Sequence, residues 1–400
     1  MLRRLMLSFS MLYCTTVVLC STISVASLHG RAAPLDQTSA IAQFGNPLVV
    51  SMTLLHPIGA RARWSPDGSR FVFDRRNFDG YYNLYLSDRA GNTLASLTKG
   101  KHINQRHNGN GMYRYRGDYI VFVSEEMEHF LDFLAPFGPV PIGEPGVGLF
   151  NNLWATDAQE FWRLTNIPIK KTPNDNIPVI ATVNPRFSPD STMLVWTERY
   201  AEGGHNNWGK WRLKAADFVV GPDGPSLSNE RVIFTPSVGT YVTAMEFMTP
   251  RVLLVAGNLD GQHEYGMDLY LLHIATGTVR NLTNTPDVWE EGSCIAPSGK
   301  IVYMTNQDSR FPLDFNRDWV GQPVERDYWI MDPDGSNKER LTYFNDPAAP
   351  EYQGWRTVTI VCDISPDGKT MAATVGRDFG DETLARVQWQ VWLIEFQEPL

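Results

Sequence analysis

The stretch Ser65-Pro66-Asp67-Gly68-Ser69-Arg70-Phe71-Val72-Phe73 combines a reversal of the chain with an apolar strand. Proline presets φ at the first central position of the turn, aspartate tolerates the second, and glycine takes the left-handed conformation that closes a hairpin. The pattern returns as Ser188-Pro189-Asp190-Ser191 before Met193–Trp196, as Ala296-Pro297-Ser298-Gly299 before Ile301–Met304, and as Ser365-Pro366-Asp367-Gly368 before Met371–Val375. A second unit follows each hairpin: an apolar strand, an acidic or glycine turn, and a short strand ending in Leu-Thr. It runs from Asn83 to Leu97-Thr98, from Leu153 to Leu164-Thr165, from Leu269 to Leu282-Thr283, and from Tyr328 to Leu341-Thr342. Two hairpins per repeat make a four-stranded unit.

Two of the intervals between the turns are long enough to hold a further, degenerate copy. These copies are Met112–Val123, turning at Gly117-Asp118, and Thr243–Ala256, turning at Thr249-Pro250. The total of six predicts an all-β chain folded as a six-bladed β-propeller. The last repeat ends at Trp392-Leu-Ile-Glu-Phe396 without a fourth strand, while Leu48–Leu55 is a strand with no hairpin partner of its own. Unpaired edges are a liability that closed rings avoid. The N-terminal strand is therefore expected to complete the last blade and close the ring, with the propeller spanning 47–400.

Residues 1–26 read as a signal peptide: Arg3 and Arg4 precede the apolar run Leu5–Val25, and Ser24, Ala26 and Ser27 supply small residues for cleavage. Residues 27–46 then form a mature N-terminal segment, and the chain is expected to be secreted or to reside in the secretory pathway without a stable membrane anchor. A net charge of −9 argues against nucleic acid as a partner. Cys294 and Cys362 lie at different offsets from their turn prolines, which puts their side chains on different blade faces, so two buried free thiols are expected. Asn281-Leu282-Thr283 is a glycosylation sequon.

Strand alternation places the second-to-third loops and the links between blades at one mouth of the central channel. The longest are Glu125–Asn151, Glu198–Lys210, Asn306–Glu325, Ile167–Val183 and Phe344–Thr357. Loops of that length usually carry function. They supply candidate catalytic groups in His107, Glu126, Arg199, His205 and His263, and candidate substrate-binding groups in Arg75, Trp208, Trp289, Phe311, Arg326, Tyr352 and Trp355. No serine-hydrolase elbow, zinc helix or phosphate loop is present in the sequence, so no cofactor and no metal are expected.

The Ser-Pro-Asp-Gly and Asp332-Pro-Asp-Gly-Ser-Asn337 units resemble the TolB-like, WD40-like propeller repeats over roughly residues 60–396. Within that group the combination of signal peptide, lone ring and aromatic mouth is similar to the fungal hetero-Diels–Alderases of tropolone–sesquiterpenoid biosynthesis. The resemblance implies an intermolecular cycloaddition between a tropolone quinone methide and a humulene-type sesquiterpene, with dehydration as a preceding step. Its substrates would be small and largely apolar. A non-catalytic binding scaffold of the TolB kind and a uronate-cleaving polysaccharide lyase are the alternative readings. A mouth lined by tryptophan favours cycloaddition, and one dominated by arginine favours the lyase.

Overall fold

The computed structural model describes residues 44–127, 150–169, 179–204, 208–317, 322–381 and 386–400. The expected signal peptide, most of the mature N-terminal segment and His205 lie outside them. Among the described residues there is no helix, and all regular structure falls into six four-stranded antiparallel sheets. The ring is a six-bladed β-propeller.

The first blade holds β2 (Ala60–Trp64), β3 (Arg70–Arg76), β4 (Tyr82–Asp88) and β5 (Thr93–Ser96). The second holds β6 (Asn108–Tyr113), β7 (Ile120–Glu125), β8 (Asn151–Thr156) and β9 (Phe161–Arg163). The third is built from β10 (Ala181–Phe187), β11 (Met193–Ala201), β12 (Lys210–Gly221) and β13 (Gly224–Phe234). The fourth contains β14 (Val242–Thr249), β15 (Val252–Gly257), β16 (Asp268–His273) and β17 (Thr278–Asn281), and the fifth β18 (Glu290–Ile295), β19 (Ile301–Thr305), β20 (Asp327–Met331) and β21 (Glu339–Arg340). In the sixth, β22 (Arg356–Ile364), β23 (Thr370–Asp378) and β24 (Val387–Phe396) are completed by β1 (Val49–His56). Met52 pairs with Ile394 and Leu54 with Trp392, so the ring closes as the unpartnered strands required.

The recurring motifs have identifiable work. In the serine turns Gly68 N donates to Ser65 O at 2.8 Å and Gly368 N to Ser365 O at 2.8 Å, while Ser65, Ser188 and Ser365 hydroxyls donate to Asp67, Asp190 and Asp367. The Leu-Thr ending is a clamp on the third strand. Thr98, Thr165, Thr283 and Thr342 each donate a hydroxyl to Asn83, Asn152, Asp268 and Asp327, and each accepts the next backbone N–H. A buried acid or amide at the strand start is thereby satisfied by the strand that follows it.

The cysteines correct the expectation of free thiols: Cys294 in β18 and Cys362 in β22 form a disulfide with Cα atoms 5.6 Å apart. Their offsets do place them on opposite faces of equivalent strands. In stacked neighbouring blades, however, opposite faces are the ones that meet. The bridge lies in a buried cluster with Val302, Met371, Ala373 and Ile394. A crosslink across a loop of this length contributes about 2–4 kcal/mol to stability.

Candidate functional site

The first strands of successive blades contact one another in the order β2, β6, β10, β14, β18, β22 and back to β2. Every one of them breaks its pairing register near its middle: between Ala60 and Arg63, Gly109 and Met112, Val183 and Arg186, Ala244 and Glu246, Glu291 and Cys294, and Thr359 and Cys362. Such bulges re-aim side chains and gather at functional sites. Here they form a ring around the channel. Arg61, Asn110, Asn184 and Gly292 sit at positive φ within it, at 49°, 56°, 52° and 56°. At Gly292 a Cβ would run into the Ile360 carbonyl oxygen, so only glycine fits between the fifth and sixth blades.

A cavity of about 190 Å³ opens above this ring toward the long-loop mouth. Its floor includes Arg61, Asn184, Met245, Gly292, Ile360 and Val361, and its walls are Trp208, Tyr241, Tyr265, Trp289, Trp389 and Met304. Tyr265 and Trp289 stack with centroids 5.9 Å apart, and Tyr241 packs edge-on against Trp211 at 5.7 Å. The polar groups are few. Glu291 accepts a hydrogen bond from Trp289 Nε1 at 3.1 Å and one from the Tyr241 hydroxyl at 3.4 Å, and burial pushes its carboxyl toward the neutral form. Glu264 accepts from Thr240 Oγ1 at 3.0 Å. Arg326 lies over Trp289, its guanidinium carbon 4.2 Å from the ring centroid, and burial lowers it to about 10.

A second cavity, of about 740 Å³, lies between the sixth and first blades. Ile58, Phe78, Tyr82, Phe379, Val387 and Trp389 give it apolar walls, with Arg75, Arg76 and Arg386 around them. Trp389 lines both cavities. Tyr352 and Trp355 line a third, open depression of about 410 Å³ together with Arg377 and Phe379.

The expected site residues divide accordingly. Trp208, Trp289 and Arg326 converge on the channel cavity. His263 stands beside it, stacked on Phe315 at 4.9 Å and against Tyr265 at 4.5 Å. Arg75 belongs to the larger cavity and lies 3.7 Å over the Tyr85 ring. Tyr352 and Trp355 face the depression.

The others are placed away from these spaces, in packing roles. His107 is buried between the first two blades and accepts from Tyr82 N at 3.3 Å. Glu126 holds Asn152, Trp154 and Arg163 at 2.8–3.0 Å, so it ties the second blade together. Arg199 donates to the Trp208 and Val179 carbonyls, both at 3.0 Å, and so anchors the loop that carries Trp208. Phe311 packs beneath the Arg356 guanidinium at 4.9 Å. Asn281 donates to Asp260 and Asp268 and accepts from Thr283 N at 3.0 Å and Asn284 N at 2.9 Å.

Arg61, Arg186, Tyr241, Glu264, Tyr265 and Trp389 are cavity residues that the long loops did not point to, and Glu291, which lies beside Trp289 in a mouth link, joins them. A signal for the floor was present. The residue four places before each turn is Arg61, Asn110, Asn184, Met245, Gly292 or Val361, and all but Asn110 line the cavity. Among the described residues no group of His, Cys, Asp and Glu is arranged to hold a metal ion, and no helix is long and apolar enough to cross a membrane.

No family model matches the chain, and no curated protein does. Solved structures do. An oligogalacturonate lyase in complex with manganese is similar at 15% identity and a TM-score of 0.48, covering 87% of this chain and 91% of that one. A gluconolactonase from Xanthomonas campestris reaches 0.46 at 11% identity, with coverage of 90% and 92%. TolB from Acinetobacter baumannii reaches 0.42 at 16% identity over 70% of this chain, which spans about half (53%) of that protein. These likenesses concern the fold.

Proposed function

We propose that the protein is an enzyme that joins two small molecules, one seated in the channel cavity and the other in the larger cavity, with their reacting ends meeting beside the edge of Trp389, by a hetero-Diels–Alder cycloaddition that needs no cofactor. The observation that carries the reading is the pair of aromatic-walled cavities sharing one tryptophan. A cycloaddition requires no nucleophile. Holding diene and dienophile in an attack geometry replaces a bimolecular encounter and is worth about 7–11 kcal/mol of barrier when orientation is good.

The smaller cavity suits a planar ring with a polar end. For a hydroxymethyl tropolone, Glu291 would give its proton to the departing hydroxyl, which leaves as water, while the ring oxygen gives up its own proton. The product is a neutral quinone methide whose C=C–C=O unit is the diene. New C–C and C–O bonds to the alkene then form together. Two of the three cavity arginines have other partners: Arg61 is 3.9 Å from Asp74, and Arg186 donates to the Met245 and Pro185 carbonyls. Apart from Asn184, Glu264 and Glu291 the remaining side chains of the lining are aromatic and aliphatic, which favours cycloaddition over uronate cleavage.

The test is to incubate a hydroxymethyl tropolone and a humulene-type alkene with and without the protein and to resolve the adducts on a chiral column. One dominant adduct formed faster with protein is expected, because a difference of about 1.4 kcal/mol between approaches already gives a tenfold preference. Equal rates and equal isomer ratios in the two tubes would overturn the reading.

A further inference from the structure

In the channel cavity one guanidinium, that of Arg326, has neither a side-chain hydrogen bond nor an ion pair among the described residues. Arg326 is 8% exposed, and its Nε is enclosed without a hydrogen-bond partner. The cavity carboxyls are engaged elsewhere: Glu291 by the Trp289 indole and the Tyr241 hydroxyl, Glu264 by Thr240. The other two guanidinium groups have the partners named above, Asp74 and backbone carbonyls.

Burying an unpaired cation costs several kcal/mol, and a face-on aromatic ring returns only about 2 of them. The planar fork of an arginine matches a carboxylate or an ionised enol with two parallel hydrogen bonds. The ring of Trp289 beneath it continues the same plane-on-plane packing for a flat ligand.

From this geometry we infer that Arg326 is an oxyanion receptor: the molecule seated in the channel cavity binds as a planar monoanion, a carboxylate or an ionised tropolone-type enol, with its charged oxygens on the Arg326 guanidinium and its ring between the aromatic walls. The inference rests on the cavity reading above and adds the charge state of its occupant. In the proposed reaction it also assigns the ring oxygen's proton, which is lost to solvent before binding. Departure of hydroxide from the anion, with the Glu291 proton, then leaves a neutral diene and water.

The experiment uses tryptophan fluorescence of the intact protein, titrated at pH 8 with two anion–neutral pairs: tropolone against its O-methyl ether, and benzoate against benzamide. Each anion is expected to bind at least tenfold more tightly than its neutral counterpart. A larger tropolone preference would point to the enol as the natural class, and a larger benzoate preference to a carboxylate. Arg326→Gln should abolish the preference for anions, and Arg326→Lys should keep part of it. The comparison within the wild-type protein holds even if the glutamine variant folds poorly. Equal affinity of anion and neutral partner in the wild type would overturn the receptor while leaving the apolar cavity intact. Absence of binding by all four probes would overturn the cavity reading, and the receptor with it.

Discussion

The two ends of the central channel are built from the same six strands and use charge in opposite ways. Toward the tight turns, Arg63, Asp363 and Glu246 are each held by hydrogen bonds or an ion pair to a neighbouring blade. Arg63 is 3.3 Å from Asp363 and donates to the Cys362 carbonyl at 2.7 Å, Asp363 accepts from Trp64 N at 2.6 Å, and Glu246 accepts from Ile295 N at 2.9 Å. Burial and mutual repulsion raise Glu246 to about 7. Toward the long loops, beyond the bulges, Arg326 and Glu291 border open space between aromatic rings. Paired charges join blades to one another. An unpaired one faces a volume that another molecule can fill. Charge content alone does not tell a structural site from a binding site; the fraction of hydrogen-bonding capacity left over does.

The largest effect should come from the closed end. Arg63→Met strands Asp363 and is expected to cost about 3–5 kcal/mol, read from the urea midpoint, with turnover per folded molecule unchanged. A loss below about 1 kcal/mol would remove the distinction between the two ends. Reducing Cys294–Cys362 should cost about 2–4 kcal/mol and lower Tm in the wild type, but not in a Cys294→Ala, Cys362→Ala double variant.

A pH series sharpens the contrast. Burial raises Asp74, behind Arg61, from 3.8 to about 7. Its folded form holds a proton that the unfolded chain releases, so its stabilising contribution is complete below about pH 4 and is lost as pH rises toward 7, at a slope of up to about 1.4 kcal/mol per unit. Asp74→Asn should reduce the slope of unfolding free energy across that window, leaving the part that Glu246 and Glu290, also raised to about 7 by burial, contribute. An unchanged slope would show that Asp74 ionises freely against Arg61.

At the open end, Glu291→Gln should lower turnover at least tenfold, about 1.4 kcal/mol of barrier, while moving stability by less than about 1 kcal/mol. Stability loss without loss of turnover would make Glu291 structural. The smallest change is expected from Phe78→Ser: with 107% relative exposure Phe78 supports nothing, so stability should stay within about 0.5 kcal/mol while KM for the apolar partner rises. An unchanged KM would remove the larger cavity from the reaction.

The difference between what was and was not legible follows individual residues. Trp208, Trp289 and Arg326, expected at the channel mouth from the long loops and links, line the channel cavity. Glu126 and Arg199 looked equally suitable by type and position, and both are consumed by their own blades. Trp389 lies in a regular strand, β24, and nothing in its local pattern separates it from the packing residues Trp392 and Phe396.

The sequence by itself determined the number of blades, the hairpin turns and the strand that closes the ring. Those follow from proline and glycine dihedral preferences and from apolar alternation, which act within a few residues. Tertiary structure alone decided the disulfide, the convergence of Arg326, Glu291 and Trp389, and which charges remain unpaired. These depend on how blade faces stack and where first-strand bulges turn the side chains, which contacts between different blades decide, as with the 68 residues that separate the two cysteines.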